Sequence, residues 1–169
     1  QSTSSRKPLL STENGNNIIS FDGVNDAFGA SNTEIAGLLK NASSVWVCCI
    51  QKTRSNTSKA RTMFYVPTPT GSARLNFQLG TTNIYAAGFR TLDVATSYVV
   101  ATSSARYNQY SIIIVVINFA DGIAEMYVNG VLDGSTSFTA KNTANTNPQN
   151  NRASIGADYD SNGETNGNN

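Results

Sequence analysis

The stretch that decides the fold runs from Tyr110 to Ser135 and reads YSIIIVVINFADGIAEMYVNGVLDGS. Every residue from Ile112 to Ile117 is apolar, which is typical of a central strand covered on both faces. Two turn dipeptides follow, Asp121-Gly122 and Asn129-Gly130, and both tolerate the positive φ of a tight hairpin. The segment therefore predicts three consecutive antiparallel strands joined by two hairpins.

Short runs of strand-forming residues continue on both sides of this segment, separated by Gly, Pro, Asn and Asp. With the segment itself they predict strands at Ile18–Phe21, Ser44–Lys52, Thr62–Val66, Ala73–Leu79, Asn83–Ala87, Ser97–Thr102, Tyr110–Asn118, Ile123–Asn129 and Ala153–Ile155. The helical candidate, Asn32–Leu39, is at most two turns long and is weakened by Gly37. The pattern indicates an all-β protein, and its many short strands suggest a β-sandwich.

The composition excludes several classes of function. The chain has 169 residues, which suits one domain, and a net charge of +1. It lacks the basic surface that supplies most nucleic-acid affinity, and its longest apolar run is too short to cross a bilayer. Histidine is absent, so His-dependent catalytic triads and His-ligated zinc sites are excluded.

The two cysteines, Cys48 and Cys49, are neighbours in a predicted strand. Adjacent side chains of a strand point to opposite faces, so the two cannot bridge one another without a strained turn. We expect free, buried thiols and a chain that folds in a reducing cytoplasm, even if it then works at an extracellular or virion surface. Trp46 alternates with Cys48 and Ile50, and we interpret these three as one buried face.

Residues 1–17 are polar and without a sustained period, so they are interpreted as a linker or peripheral arm, with Pro8-Leu9-Leu10 available to dock on the core. The domain proper is expected to span residues 18–169.

Four elements in order resemble the concanavalin A-like, laminin-G-like jelly-roll modules of lectins and glucanases. They are Ile19–Asp26 (ISFDGVND), Ser44–Val47 (SVWV), Phe119–Ser135 (FADGIAEMYVNGVLDGS) and Ser154–Ala157 (SIGA). The resemblance covers roughly residues 18–157 and implies an antiparallel jelly-roll β-sandwich of two sheets, one of them concave.

The chain departs from that family pattern in two respects. The resemblance implies a closing strand after the Ser154–Ala157 element that pairs with an early strand, whereas this sequence runs into Asn166–Asn169. The sandwich is therefore expected to lack its last strand, or to take it from another chain. The second departure is chemical: glycoside cleavage needs two carboxyl groups facing one bond, and no predicted strand carries them at i, i+2 or i, i+4 spacing. The chain is accordingly expected not to be an enzyme.

Candidate site residues are few. Asp158, Asp160 and Asn162, followed by Gly163, match the opening of a calcium loop, whose alternate oxygen ligands suit a hard cation. The bidentate Glu expected later in the loop falls on Asn169, so calcium is a possible cofactor at most, and a solvated Asn-rich loop is the favoured alternative.

Exposed aromatic rings are the other candidates, because sugars commonly stack on them. Tyr98, Tyr107 and Tyr159 lie on or beside predicted strands and rim loops, although most aromatics here are expected to be core. The acidic cluster Asp22–Asp26 is more simply a turn whose side chains bond local backbone N–H groups.

These observations favour a non-catalytic binding or adhesion module that recognises a glycan or a protein surface through its rim loops. The alternative is a structural virion component, such as a phage capsid decoration, head-fibre or tail-fibre domain that packs against identical subunits or a virion scaffold. Neither hypothesis involves nucleic acid or a membrane as a partner.

Overall fold

The computed structural model describes residues 7–21, 26–30, 39, 41–53, 61–67, 73–79, 84–90, 97–104, 106–139, 153–156, 158–159 and 165–166. Its strands are β1 (Leu9–Glu13), β2 (Asn16–Ser20), β3 (Phe28–Ala30), β4 (Ser44–Lys52), β5 (Arg61–Pro67), β6 (Ala73–Leu79), β7 (Tyr85–Arg90), β8 (Ser97–Ala101), β9 (Tyr110–Asn118), β10 (Ile123–Val128), β11 (Val131–Ser137), β12 (Ala153–Ile155), β13 (Asp158–Tyr159) and β14 (Thr165–Asn166). All nine predicted strands are present within one or a few residues of their expected bounds. Within these ranges no helix is long and apolar enough to span a membrane.

Two antiparallel sheets form the sandwich. One has four strands in the order β11-β10-β9-β4, and the other has six in the order β3-β12-β5-β6-β7-β8. Their facing sides share one core, in which Ile113 and Met126 of the first sheet join Phe77 and Phe89 of the second. The predicted all-β sandwich is confirmed. Two small hairpins, β1-β2 and β13-β14, are separate two-stranded sheets.

The predicted meander is also confirmed. Strands β9, β10 and β11 are consecutive antiparallel neighbours, and the residues of the second turn have the positive φ expected of a tight hairpin, 53° at Asn129 and 82° at Gly130. Alternate residues of β10 face the core, since Ala124, Met126 and Val128 are at most 1% exposed.

The expectation that β9 is covered on both faces is wrong. The strand is central, between β10 and β4, and Ile113 and Val115 are fully buried, but Ile112 on the opposite face is 43% exposed. In a two-layer sandwich each sheet covers only the inner face of the other, so the outer face of β9 has no layer above it among the described residues.

The interpretation of Trp46, Cys48 and Ile50 as a buried face is wrong for the same reason. The register of β4 against β9 turns Val45, Val47 and Cys49 towards the core, and leaves Trp46 71% and Ile50 70% exposed. Both thiols are free as expected, but Cys48 is exposed and Cys49 is half-buried. Burial, with a smaller contribution from Cys48, raises the pKa of the Cys49 thiol to about 12.

Part of the expected N-terminal arm is a strand. β1 pairs with β2 across a turn at Asn14-Gly15, and Glu13 binds Lys52 and accepts a hydrogen bond from the Tyr110 hydroxyl at 2.8 Å. The β1-β2 hairpin therefore crosses the expected boundary between arm and domain at residues 17/18. The division of the chain into an arm and a domain stays a prediction. The helical candidate lies outside the described residues apart from Leu39, which is a buried core residue.

The two sheets approach closely along the edges formed by β8 and β11, a contact that we call the seam and define by Ala101, Ser103, Asp133 and Gly134. The Asp133 carboxylate accepts hydrogen bonds from the Ser103 N–H at 3.0 Å and from the Ser103 hydroxyl at 2.7 Å. Asp133 is able to reach Ser103 because it sits at a β-bulge, where the register shifts from Met126↔Gly134 to Tyr127↔Leu132.

The Asp133 bonds make a testable contribution to acid stability. The two hydrogen bonds from Ser103 hold the pKa of Asp133 below its usual value. A carboxyl whose pKa is lower in the folded state stabilises the fold above its unfolded pKa, about 4, and loses that contribution as the pH falls through its folded pKa. Because the site is close to solvent, we expect this contribution to be at most about 1 kcal/mol.

Urea unfolding from pH 7 down to pH 3 tests this contribution. The free energy of unfolding should fall less on acidification, a smaller acid loss, for Asp133→Asn than for the parent. Ser103→Ala removes the hydroxyl donor and keeps the N–H donor, so it should reduce the acid loss in part. An unchanged acid loss in both variants would contradict this account.

Candidate functional site

The outer face of the six-stranded sheet is polar at its centre. Along β6, Leu75, Phe77 and Leu79 belong to the core, so the alternating residues Asn76 and Gln78 point outwards. β6 is an inner strand, with β5 on one side and β7 on the other. Two carboxamides therefore occupy the middle of this face.

Strand pairing extends Asn76 into a row that crosses the whole sheet, because residues directly opposite each other share a face. The row, which we call the polar row, is Gly29, Ser154, Tyr65, Asn76, Gly88 and Val99. Its two halves differ in access. Ser154 and Tyr65 are buried, at 2% and 5% exposure, whereas Val99 is 55% exposed.

The open half is the outer surface around Gly88, which we call the Gly88 surface. Among the described residues, a Cβ atom at Gly88 would have no neighbour nearer than the Tyr98 carbonyl oxygen at 4.0 Å. Asn76 lies directly opposite Gly88 on the neighbouring strand. Its Nδ2 donates to Gln78 Oε1 at 3.0 Å, while its Oδ1 is buried and has no hydrogen-bond partner. A buried acceptor without a partner costs free energy that a bound donor would recover.

This arrangement suits a ligand with hydroxyl groups and apolar C–H faces. Carboxamides both donate and accept, as sugar hydroxyls do, and the glycine with its exposed valine neighbour offers an apolar surface for a ring. Arg90, half-buried and two residues beyond Gly88 on β7, brings a positive charge to the same strand. Sequence reasoning did not single out Asn76 or Gln78, although their alternation with Leu75, Phe77 and Leu79 was a usable signal.

The tyrosines predicted from the sequence are not gathered into one site. Tyr98 is partly buried and stacks on Phe89, with ring centroids 5.8 Å apart, beneath the outer face. Tyr107 packs on the core and pairs with Thr53 at the end of β4. Tyr159 lies in β13, and only its backbone is described. Their assignment as ligand-binding residues stays a prediction.

The possible calcium site falls mostly outside the described residues. Asp158 is described as backbone in β13, which pairs with β14, and Asp160 and Asn162 are not described. Among the residues that are described, no group of three or more Cys, Asp or Glu side chains could hold a metal ion. Of the acidic cluster, Asp26 is buried and the other acid, Asp22, is not described.

The sequence matches the family model of the concanavalin A-like lectin/glucanases superfamily over residues 14–168. The chain belongs to this superfamily. The resemblance deduced from the four sequence elements is thus confirmed, and the match begins at the turn between β1 and β2 and ends beyond β14. No curated protein is significantly similar to this concanavalin A-like chain in sequence.

Solved structures support the same fold. The CBM40 domain of a Ruminococcus gnavus IT-sialidase, bound to α2,3-sialyllactose, has a TM-score of 0.63 at 11% identity, covering 82% of this chain and 80% of that one. A mutant NanB sialidase from Streptococcus pneumoniae has a TM-score of 0.63 at 14% identity; the match covers 84% of this chain and 22% of that enzyme. A heptameric SAP-like pentraxin from Limulus polyphemus has a TM-score of 0.54 at 14% identity, covering 77% of this chain and 61% of that one. At these identities the likeness establishes the concanavalin A-like fold alone.

Proposed function

We propose that this domain is a non-catalytic glycan-binding module and that its ligand lies on the Gly88 surface. The observation that carries the proposal is the unpartnered Asn76 Oδ1, opposite Gly88 on the outer face, which a rotation of the carboxamide would expose to the ligand. A sugar hydroxyl donating to this atom would supply the missing bond, and the ring would cover Gly88 and Val99. Arg90 favours a sugar that carries a carboxylate, because guanidinium and carboxylate form short charge-assisted bonds.

The fold comparisons supply the first ligands to test. The structurally similar CBM40 domain of the Ruminococcus gnavus IT-sialidase has been solved with α2,3-sialyllactose and with α2,6-sialyllactose bound. Sialic acid carries both hydroxyl groups and a carboxylate, which matches the chemistry around Asn76 and Arg90. A glycan array that includes both trisaccharides and neutral lactose tests the class of ligand directly.

Asn76→Ala is the decisive variant. We expect it to weaken binding about 10-fold, equivalent to ~1.4 kcal/mol, because the acceptor for the ligand hydroxyl is removed. The fold should be retained, since the hydrogen bond that this carboxamide makes, from Nδ2 to Gln78 Oε1, joins two side chains of the same strand. Isothermal titration of parent and variant, with melting curves for both, provides the measurement.

Asn17→Ala is the matched control, because Asn17 is exposed on β2 and away from the six-stranded sheet. It should bind as the parent does. Equal affinity of the Asn76 and Asn17 variants would place the ligand elsewhere on the domain. Absence of any array signal for the parent would contradict glycan binding itself, and would favour the virion-component alternative, which otherwise stays a prediction.

A further inference from the structure

β4 ends the four-stranded sheet. β9 lies on one side of it, and among the described residues no strand lies on the other. The strand is nine residues long, SVWVCCIQK, and its one charged side chain, Lys52, is bound to Glu13. Long apolar edge strands without protective charges or prolines readily pair with another chain. The open edge of β4 is therefore available to pair with another strand.

The backbone of β4 is oriented to accept one. The N–H and C=O of Ile112 are both hydrogen-bonded to Asn129, on the β10 side of β9. Ile112 therefore makes no backbone hydrogen bond to Ile50, the residue opposite it on β4. Ser43 is an odd-numbered residue, unlike Ile50, and its carbonyl oxygen accepts a hydrogen bond from the Phe119 N–H, just beyond β9, at 2.8 Å. Since backbone groups alternate sides along a strand, the N–H and C=O groups of Trp46, Cys48 and Ile50 point to the open side.

We propose that a second copy of this chain occupies this edge, with the two β4 strands pairing antiparallel about a twofold axis at Cys48. This inference goes beyond glycan binding and does not depend on it. The sequence of β4 is complementary to itself in this register. Trp46 faces the partner's Ile50, Val47 faces the partner's Cys49, and Lys52 faces the partner's Ser44. Apolar side chains thus meet apolar ones, and no like charges are opposed.

The pairing is large enough to hold two subunits together. Five residues of each β4 direct both backbone groups to the open edge, which allows about ten intersubunit hydrogen bonds, the number of a typical interface. The exposed Trp46 and Ile50 side chains would be covered in part by each other across the twofold axis. A second copy is therefore favoured over an unrelated strand, because the side chains of β4 are complementary to a second β4 in this register.

Charge substitution tests the register. In the double variant Trp46→Lys/Ile50→Lys, each introduced lysine faces an introduced lysine of the partner. The like charges repel each other, and we expect a monomer. In Trp46→Lys/Ile50→Glu, each introduced lysine faces the partner's introduced glutamate, and we expect the dimer to return. Both variants change the same two exposed positions, so any effect on folding is shared. Sedimentation velocity over a concentration series, well above ~10 µM for an interface of modest size, gives the readout.

Disulfide trapping tests the twofold axis independently. In a hydrogen-bonded antiparallel pair the two Cα atoms are about 5.5 Å apart, within the range that a disulfide spans. Diamide, which takes up the two thiol hydrogens, should convert the dimer into a Cys48–Cys48 disulfide. Cys48→Ser should abolish the covalent dimer and Cys49→Ser, whose side chain faces the core, should retain it.

Three results would overturn the proposal: a parent protein that stays monomeric throughout the series, a Lys/Lys variant that remains dimeric, or a Cys48→Ser variant that is trapped as readily as the parent. The first result would rule out a second copy at this edge, and the second would place the dimer contact elsewhere.

Discussion

Replacing Phe89 with alanine is expected to lower the free energy of unfolding by about 3–5 kcal/mol, the usual cost of removing a buried aromatic side chain. Phe89 is 1% exposed and is the centre of an aromatic cluster. Its ring contacts Phe138 at 5.0 Å, Tyr98 at 5.8 Å and Phe119 at 6.4 Å between centroids. Tyr98 lies on β8 of the same sheet, whereas Phe119 and Phe138 directly follow β9 and β11 of the other sheet, so truncation leaves a cavity that several elements border.

Phe28→Ala is the control for this prediction, because it removes the same atoms from a ring that is 44% exposed on β3. Urea unfolding should show a loss for Phe28→Ala of about 1 kcal/mol or less. Equal losses in the two variants would mean that the cluster around Phe89 does not hold the sheets together.

Gly134→Ala is the second change with a large expected effect. A Cβ at Gly134 would lie 2.1 Å from the carbonyl oxygen and 2.8 Å from the carbonyl carbon of Ala101. Both contacts are with backbone, so no side-chain rotation relieves them, and the seam between β8 and β11 must open. We expect a loss of about 3 kcal/mol, at the upper end of ordinary overpacking, with the Asp133–Ser103 hydrogen bonds weakened as well.

Gly88→Ala is the matched control for Gly134→Ala, since it is also a glycine within a strand, and its added Cβ would meet nothing nearer than 4.0 Å. Thermal unfolding should place the Gly88 variant within about 0.5 kcal/mol of the parent. A Gly134 variant as stable as the Gly88 variant would show that the two sheets are not in close contact at the seam.

The strands and the meander were predictable from the sequence because their signals are local. The Asp121-Gly122 and Asn129-Gly130 turns fix the hairpins, and the alternation in β10 fixes which face is buried. β4 is different: Trp46, Cys48 and Ile50 on one side and Val45, Val47 and Cys49 on the other are similarly apolar. Because both sides of β4 are apolar, the alternation in sequence does not show which side faces the core. The pairing of β4 with β9 determines it.

The candidate site was less predictable than the fold. Asn76 and Gln78 are visible as polar positions in β6, but their significance depends on Gly88, Tyr65 and Val99, which are distant in sequence and join the row through strand pairing. Tyr98, Tyr107 and Tyr159 stand out in the sequence by their chemistry alone, and Tyr98 packs among the core aromatics. The type of a side chain suggests which ligand it could bind. Which side chains lie together to bind that ligand depends on the register between strands.

The open edge of β4 also determines how two binding surfaces would be arranged. A twofold axis that pairs edge strands within one sheet stands perpendicular to that sheet, so the six-stranded sheets of both subunits would lie on the same side. Their polar rows would then face the same way, towards one glycan-covered surface. Once one Gly88 surface is occupied, the other would experience a high effective concentration of ligand, and avidity can exceed the affinity of a single site by about 10²–10⁴. Weak recognition by a single exposed surface would thereby become durable attachment.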